Sequence, residues 1–234
     1  MKSAVIAAGV AACGLFASAA HAQAFTALYT YFGNTGTEAS QAVSAQPTGV
    51  NFGAVARGAG VTATGGANSL NSSGWSTTGI DLTDYYGFTI TPNTGSTVSL
   101  SNLAFTFQRS GTGPTSFAVR SSVDGFATDL YTTTEPAANT TGLSRTIPLT
   151  GITGLQNLAT ATTIRIYGYT ATGTAGTFRL TSADATSGTT GRGNSHGTGA
   201  SRSRHNGRDH TGQTFRDEYF IKLKLFYTKT FSKR

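Results

Sequence analysis

The stretch Phe105–Tyr131, FTFQRSGTGPTSFAVRSSVDGFATDLY, alternates apolar and polar positions and carries Asp124-Gly125 near its end. Alternation with period two sends successive side chains to opposite faces of a strand. Asp-Gly supplies the positive φ angles of a tight primed turn. A two-residue turn there sets Val123 opposite Phe126, Val119 opposite Leu130 and Phe117 opposite Thr132. One face then collects Phe117, Val119, Val123, Phe126 and Leu130, while Arg120 falls opposite Asp129 on the other. Turn chemistry, alternation and a cross-strand ion pair predict a single register, and a longer loop would break the Arg120–Asp129 pairing.

The same reading extends along the chain. Phe25–Phe32, dense in aromatic and β-branched residues, predicts a first strand, and residues 33–49 a long loop. Val50–Gly66 gives short strand fragments broken by glycines, and Asn68–Gly74 a loop leading to Trp75. Tyr85–Thr91 alternates and stops at Pro92, whose missing N–H ends a ladder. In Thr97–Phe107 the apolar parity switches: Val98 and Leu100 are even, Leu103, Phe105 and Phe107 odd. One buried face throughout requires an extra residue, so a bulge or sharp bend is predicted near Ser101-Asn102.

Leu143–Leu149 and Thr162–Thr170 follow as strands around the loop 150–161. A last hairpin is predicted between Thr163–Tyr169 and Thr177–Ser182, with Tyr167 facing Arg179, Gly168 facing Phe178 and Ile166 facing Leu180. Ile164, Ile166, Phe178 and Leu180 would share the core face, and Arg165, Tyr167, Tyr169 and Arg179 the opposite one. About nine or ten short strands without helical periodicity predict an all-β, two-layer antiparallel β-sandwich of jelly-roll type over 23–184.

Composition sharpens this picture. Charged residues are only 12% of the 234, with 30 Gly, which suits a β-rich exported protein. The net charge of +7 is unevenly placed. Residues 23–184 hold six arginines against seven acids, whereas 185–234 hold ten Lys and Arg against three acids. No lysine occurs between Lys2 and Lys222, which marks a composition boundary. Beyond it, 185–212 contains no apolar residue larger than Ala and predicts a disordered, low-complexity basic tail over 185–234. The alternation at Ile221, Leu223, Leu225 and Tyr227 suits a strand or an induced amphipathic segment, expected to stand outside the sandwich.

At the other end, Lys2, the apolar run Ala4–Ala20 and Ala20-His21-Ala22 form the three parts of a secretory signal over 1–22, with no membrane span in the mature chain. A rival reading takes Val10-Ala11-Ala12-Cys13 as a lipoprotein box with Cys13 lipidated. Cleavage after Ala22 would leave a mature chain with no cysteine, hence neither disulfide nor thiol chemistry.

Residues 23–195 contain no His, Cys or Lys, which removes most catalytic and zinc constellations. His196, His205 and His210 fall in the tail, where nothing would position them. Paired carboxylates could still serve glycosidic chemistry, from Glu38, Asp81, Asp84, Asp124, Asp129 and Glu135. Asp124 is explained by its turn and Asp129 by Arg120, and Asp81 with Asp84 reads either as solvated loop acids or as part of a structural calcium site. Non-enzymatic contact is therefore the leading expectation, with neither cofactor nor catalytic residue assigned. Trp75, Tyr85 and Tyr86 are candidates for a platform on which sugar rings stack, or else core aromatics. Tyr167 and Arg179 offer a cation–π face that would either bind a ligand or simply cover a sheet. Arg109 and Arg120 are expected to anchor loops. Extracellular polysaccharide or cell-surface components are the expected partners, and Arg202, Arg204 and Arg208 are read as a solvated run rather than a specific nucleic-acid site.

The blocks SSGWSTTGIDLTDYYGFTITPNTGSTVSLSNLAFTFQRSGTGPTSFAVRSSVDGFATDLY and TTIRIYGYTATGTAGTFRL resemble exported bacterial proteins that carry PEP-CTERM sorting tails. The likeness runs from about Phe25 to Leu180, and residues 109–126 are its most specific part. It implies export, handling by an exosortase system, association with extracellular polysaccharide and biofilm, and a β-sandwich body of unassigned biochemistry. The tail departs from that pattern: Glu135-Pro136 is the only Glu-Pro, and 185–234 holds no apolar helix before its basic end. A tail that is not the family's own ending, such as the product of a shifted reading frame, accounts for the abrupt switch.

Overall fold

The computed structural model describes residues 22–135, 137–182 and 221–229, and for residues 22, 23, 140 and 221–229 the backbone path alone. Residues 1–21, which hold most of the predicted secretory signal and Cys13, and the basic run 185–220, with its three histidines and Arg202, Arg204 and Arg208, lie outside the described residues.

The strands in chain order are β1 Ala22–Tyr29, β2 Ser40–Gln41, β3 Val50–Phe52, β4 Val55–Arg57, β5 Thr62–Ala63, β6 Ser69–Ser73 and β7 Tyr85–Pro92. They continue with β8 Ser96–Arg109, β9 Ser116–Ser121, β10 Tyr131–Thr134, β11 Asn139–Pro148, β12 Thr162–Tyr169, β13 Phe178–Thr181 and β14 Ile221–Lys229. Among the described residues they make two seven-stranded sheets. The first runs β1-β14-β8-β13-β6-β5, with β11 also on β8, and the second runs β10-β9-β12-β7-β4-β2, with β3 also on β7. From β6 onward nearly every strand lies in the opposite sheet from the one before it, the habit of a jelly roll. The all-β, two-layer antiparallel sandwich predicted from the alternation is the fold observed.

The two sheets meet across the alternate residues of their strands. Tyr86, Phe88 and Ile90 of β7 and Ile164 and Ile166 of β12 are buried, as are Phe105 and Phe107 of β8 and Phe178 and Leu180 of β13. Rings bridge the layers: Phe178 lies 4.6 Å from Phe117 and 5.6 Å from Tyr86, Phe107 lies 4.9 Å from Phe117, and Tyr29 lies 5.6 Å from Phe88. Offset and tilted aromatic pairs of this kind add about 0.5–1.5 kcal/mol each beyond the area they bury.

The parity switch in β8 is a bulge at the predicted place. Along β14 the register passes from Asn102↔Lys224 to Leu100↔Leu225, which takes Ser101 out of that ladder while its carbonyl accepts the Leu149 amide at 2.9 Å. One extra residue turns the strand over, so that Val98, Leu100, Leu103, Phe105 and Phe107 are all buried.

Four expectations are corrected. The Asp124-Gly125 turn is not a two-residue turn. Ser122–Asp124 form a 3-10 turn, and Gly125 (φ 71°) and Phe126 (φ 65°) are both left-handed. The Asp124 carboxylate accepts the amides of Ala127 (3.2 Å) and Thr128 (2.9 Å), which draws the chain into a wider loop. The register therefore moves by one, to Val119↔Tyr131 and Phe117↔Thr133, and Val123 is 49% exposed. Arg120 still reaches Asp129, with Nε 2.6 Å from Oδ1, because the long side chain spans the shift.

The second correction separates the predicted Thr163–Tyr169/Thr177–Ser182 hairpin. β12 pairs with β7 and β9 in one sheet, and β13 with β6 and β8 in the other. Alternation reveals which side chains are buried, not which strand lies alongside. Ile164, Ile166, Phe178 and Leu180 do share the core, but from facing layers. Third, Asn68–Gly74 is not a loop: Ser69–Ser73 is a largely buried strand between β5 and β13, its small polar residues flanking the core residue Leu70.

The fourth correction concerns the C-terminal segment. Ile221–Lys229 belongs to the sandwich, paired antiparallel with β1 from Ala22↔Thr228 to Tyr29↔Ile221 and with β8 from Ala104↔Lys222 to Ser96↔Lys229. It is an interior strand, and a sheet interrupted there would leave two rows of backbone donors and acceptors without partners. A chain ending after residue 182 is thus expected to lose its cooperative unfolding transition and to aggregate. Thermal denaturation followed by far-ultraviolet circular dichroism checks this, and a truncated chain melting like the full one would contradict the placement of β14.

Candidate functional site

Of the five residues proposed as a ligand-binding set, Trp75 and Tyr86 are core. Trp75 is 1% exposed, stands edge-on to Tyr86 (5.4 Å) and Phe178 (5.3 Å), and donates its indole N–H to the Ser72 carbonyl at 2.9 Å. Tyr86 donates its hydroxyl to the Phe178 carbonyl at 2.8 Å, joining the two sheets, and shares a second bond with Ser72 Oγ. Gly168 of β12 makes room for this plug, since a Cβ there would sit 3.0 Å from the indole and 2.9 Å from Pro114. Truncating Trp75 to alanine would remove packing worth about 3–5 kcal/mol, so a loss of binding in that variant would report unfolding. The sugar platform built on Trp75 and Tyr86 is withdrawn.

Arg179 is also separated from Tyr167. It lies in the first sheet, in register with Asn71 and Gln108, and half-buried, with desolvation drawing its guanidinium below the usual arginine range. Tyr167 lies in the second sheet, in register with Tyr85 of β7 and Ala118 of β9. The cation–π partner of Tyr167 is Arg120, 5.8 Å from the ring centroid, and not Arg179.

What remains is an outer face on the second sheet. In one row across it stand Arg120, Arg165 and Gly87, and in the next Tyr167 and Tyr85, whose rings meet edge to face at 5.8 Å. Two arginines directly opposite one another would repel. Arg120 is neutralised by Asp129 and also donates to the Phe126 carbonyl at 3.0 Å. Arg165 has no such partner: the ion pairs among the described residues are Arg120–Asp129 and Arg145–Glu135. Instead its guanidinium lies between two rings, 3.9 Å from the centroid of Tyr85 and 3.9 Å from that of Phe126. Its Nε is buried without a hydrogen-bond partner, and Nη1 makes one long contact with the Tyr167 hydroxyl at 3.4 Å.

Beside this stack lies a cavity of about 320 Å³, lined by Tyr85, Gly87, Thr89, Thr163 and Arg165 together with Arg57 and the small residues Gly53, Ala54 and Ala56. Gly87 keeps it open: a Cβ would stand 3.1 Å from the Tyr85 ring and 3.2 Å from Arg165 Cγ. Among the described residues no acidic one lines it. The sequence placed Arg165 on the Tyr167 face but did not single it out, and Gly87, Thr89 and Thr163 carried no signal of their own. Phe126, expected on the apolar face with Phe117 and Val119, is instead turned by its left-handed backbone (φ 65°) onto Arg165. A charged residue between Ile164 and Ile166 was the one available clue.

The other charged groups hold loops. Arg109, buried, donates to the carbonyls of Pro114 (2.6 Å), Gly113 (2.9 Å) and Gly111 (3.3 Å), so it organises the loop at the heart of the 109–126 motif. Glu38 accepts the amides of Thr35 and Gly36, Asp81 the amide and hydroxyl of Thr83, Asp84 the amide of Ser76, and Glu135 pairs with Arg145. Among the described residues no three His, Cys, Asp or Glu side chains gather as a metal site would require, and no helix is long and apolar enough to cross a membrane.

No protein-family model matches the chain, and no curated protein does. Among solved structures the chain is similar to the K3 cleaved adhesin domain of Lys-gingipain from Porphyromonas gingivalis W83. The identity is 14%, covering 68% of this chain and 96% of that one, with a TM-score of 0.31. At that score the likeness carries no argument about fold or function.

The loop carboxylates give the fold an acid dependence. Hydrogen bonds from the Thr83 amide and hydroxyl hold Asp81 below the ordinary carboxylate range. Those from the Thr128 hydroxyl and the Thr128 and Ala127 amides do the same for Asp124. Asp84 moves the other way, raised by burial and then by Asp81, against the Ser76 amide. A lowered native pKa contributes stability above the unfolded value of about 4, lost as pH falls through the folded value, while protonation of Asp84 partly offsets that loss. The urea midpoint is expected to fall between about pH 5 and pH 3, less steeply in Asp124→Asn. A midpoint constant over that interval would refute the assignment.

Proposed function

We propose that the chain is an exported protein that acts without catalysis, as a β-sandwich component of the cell surface or extracellular matrix. It is of the kind that the PEP-CTERM resemblance implies, and its partners are extracellular polysaccharide or other surface components. The observation that carries the reading is the use made of polar residues. Residues 23–182 offer no His, Cys or Lys, and each of the six described carboxylates is engaged within its own loop or by an arginine. Two carboxylates facing one another across a cleft, as glycoside hydrolysis needs, would have to be taken from these structural roles. The secretory pattern at 1–22 and the low charge of the body support export.

A carbohydrate-recognition role is the second reading, and the cavity beside Tyr85 and Arg165 favours it in place of the withdrawn Trp75 and Tyr86. Fractionation of the native host tests the primary reading. The chain is expected outside the cytoplasm, shortened at its N-terminus, and recovery of the intact precursor in the cytosol would overturn export.

A further inference from the structure

We infer that the cavity over Gly87, on the outer face of the second sheet, is a binding site for a carboxylate, and that Arg165 is the residue that receives it. The inference deepens the carbohydrate-recognition reading above and rests on it for the class of ligand, an acidic saccharide.

The argument begins with an unexplained charge. A cation fixed in a half-buried site is costly unless an anion or a full set of hydrogen bonds compensates it. Arg165 has neither among the described residues: no carboxylate pairs with it, its Nε is orphaned, and Nη1 has one distant hydroxyl. The rings of Tyr85 and Phe126, each 3.9 Å away, compensate part of the cost through their faces. They also fix the plane of the guanidinium. With both faces covered, the edge is what can still donate. A rigid edge of N–H donors is the arrangement that matches the two oxygens of a carboxylate.

The surroundings agree. Arg57, which also lines the cavity, spends its donors on neutral acceptors, the carbonyls of Gly36, Glu38 and Asn71 and the Ser72 hydroxyl, so its charge adds to the field there. The cavity, about 320 Å³, is near the lower end of the range for small-ligand sites, roughly 300–1,000 Å³. The Thr89 and Thr163 hydroxyls on its wall, 2.8 Å apart, and the half-buried Tyr85 offer hydrogen bonds and an apolar edge to a hydroxylated ring. An anionic group with hydroxyls beside it is what a uronic-acid unit presents.

Calorimetric titration of the full chain with tri-galacturonate, its neutral methyl ester and acetate tests this. Saturable binding of the acid form is expected, with affinity roughly tenfold or more weaker for the methyl ester. A loss of similar size is expected in Arg165→Gln and Arg165→Lys, the latter because it keeps the charge but not the stacked fork. Gly87→Ala, which crowds Tyr85 and the Arg165 stem without changing charge, is expected to weaken binding too. Should a variant fail to fold, the unmodified protein still reports: the Arg165 Nε–H proton resonance is expected to shift saturably with tri-galacturonate. Unchanged affinity in Arg165→Lys, equal affinity for the methyl ester, or a resonance that does not respond would overturn the carboxylate site. Acetate binding as tightly as the trisaccharide would overturn the saccharide assignment. Absence of binding by a protein that fractionates outside the cytoplasm would refute this inference and leave export standing, whereas a cytosolic precursor that binds would do the reverse.

Discussion

The contact between Phe178 and the opposite sheet is the interaction on which the rest depends. β13, only four residues long, brings Phe178 within 4.6 Å of Phe117 and 5.6 Å of Tyr86, and Trp75 closes the group edge-on at 5.3 Å. Two sheets twisted independently need a shared core to fix their angle, and interlocking rings fix it more narrowly than aliphatic packing does. The hydroxyl of Tyr86 on the Phe178 carbonyl adds a directional bond at the same place, in a setting where a lost partner would be expensive. This single knot explains why Gly168 must lack a side chain and why Trp75 and Tyr86 are unavailable to any ligand.

β8 is the spine to which that knot is attached. Its fourteen residues support β11 along one edge and β14 and β13 in succession along the other, with the Ser101 bulge turning the strand midway. A strand without the bulge would bury Val98 and Leu100 but turn Leu103, Phe105 and Phe107 to solvent. The N-terminal strand depends on the same spine at one remove, since β1 reaches β8 only through β14.

Much of this was legible in the sequence, for reasons that can be named. Period-two alternation in Tyr85–Thr91, Thr97–Phe107 and Thr162–Thr170 identifies strands with one buried face, and the parity switch locates the bulge, because both are local consequences of the pleat. Pairing is not local. β12 and β13 look like a hairpin because they are adjacent and in phase, yet the loop between them crosses to the other layer. Ser69–Ser73 reads as a loop because all its residues but Leu70 are small and polar, although it is buried between neighbours that supply its hydrogen bonds. Ile221–Lys229 alternates as a strand should, and the composition of the segment before it argued against its belonging to the body.

The candidate site was half legible. Tyr167 was placed on an outer face and Tyr85 in a stacking platform with Trp75 and Tyr86; Tyr167 is itself buried, and of these aromatics Tyr85 is the one that lines the cavity. Arg165 gains its interest only from what surrounds it, two rings and no acid among the described residues, a relation between three segments that no spacing in the chain encodes. The division of labour is physical: the inner faces are fully committed to holding the layers together, so any chemistry of recognition is left to the outer one. The most direct test of that account uses the chain's single tryptophan, which stands in the knot itself. Urea unfolding should be followed on one sample by indole emission and by far-ultraviolet circular dichroism. The account predicts a blue-shifted native emission and two coincident transitions, and an indole that emits like exposed tryptophan, or unfolds before the strands do, would contradict it.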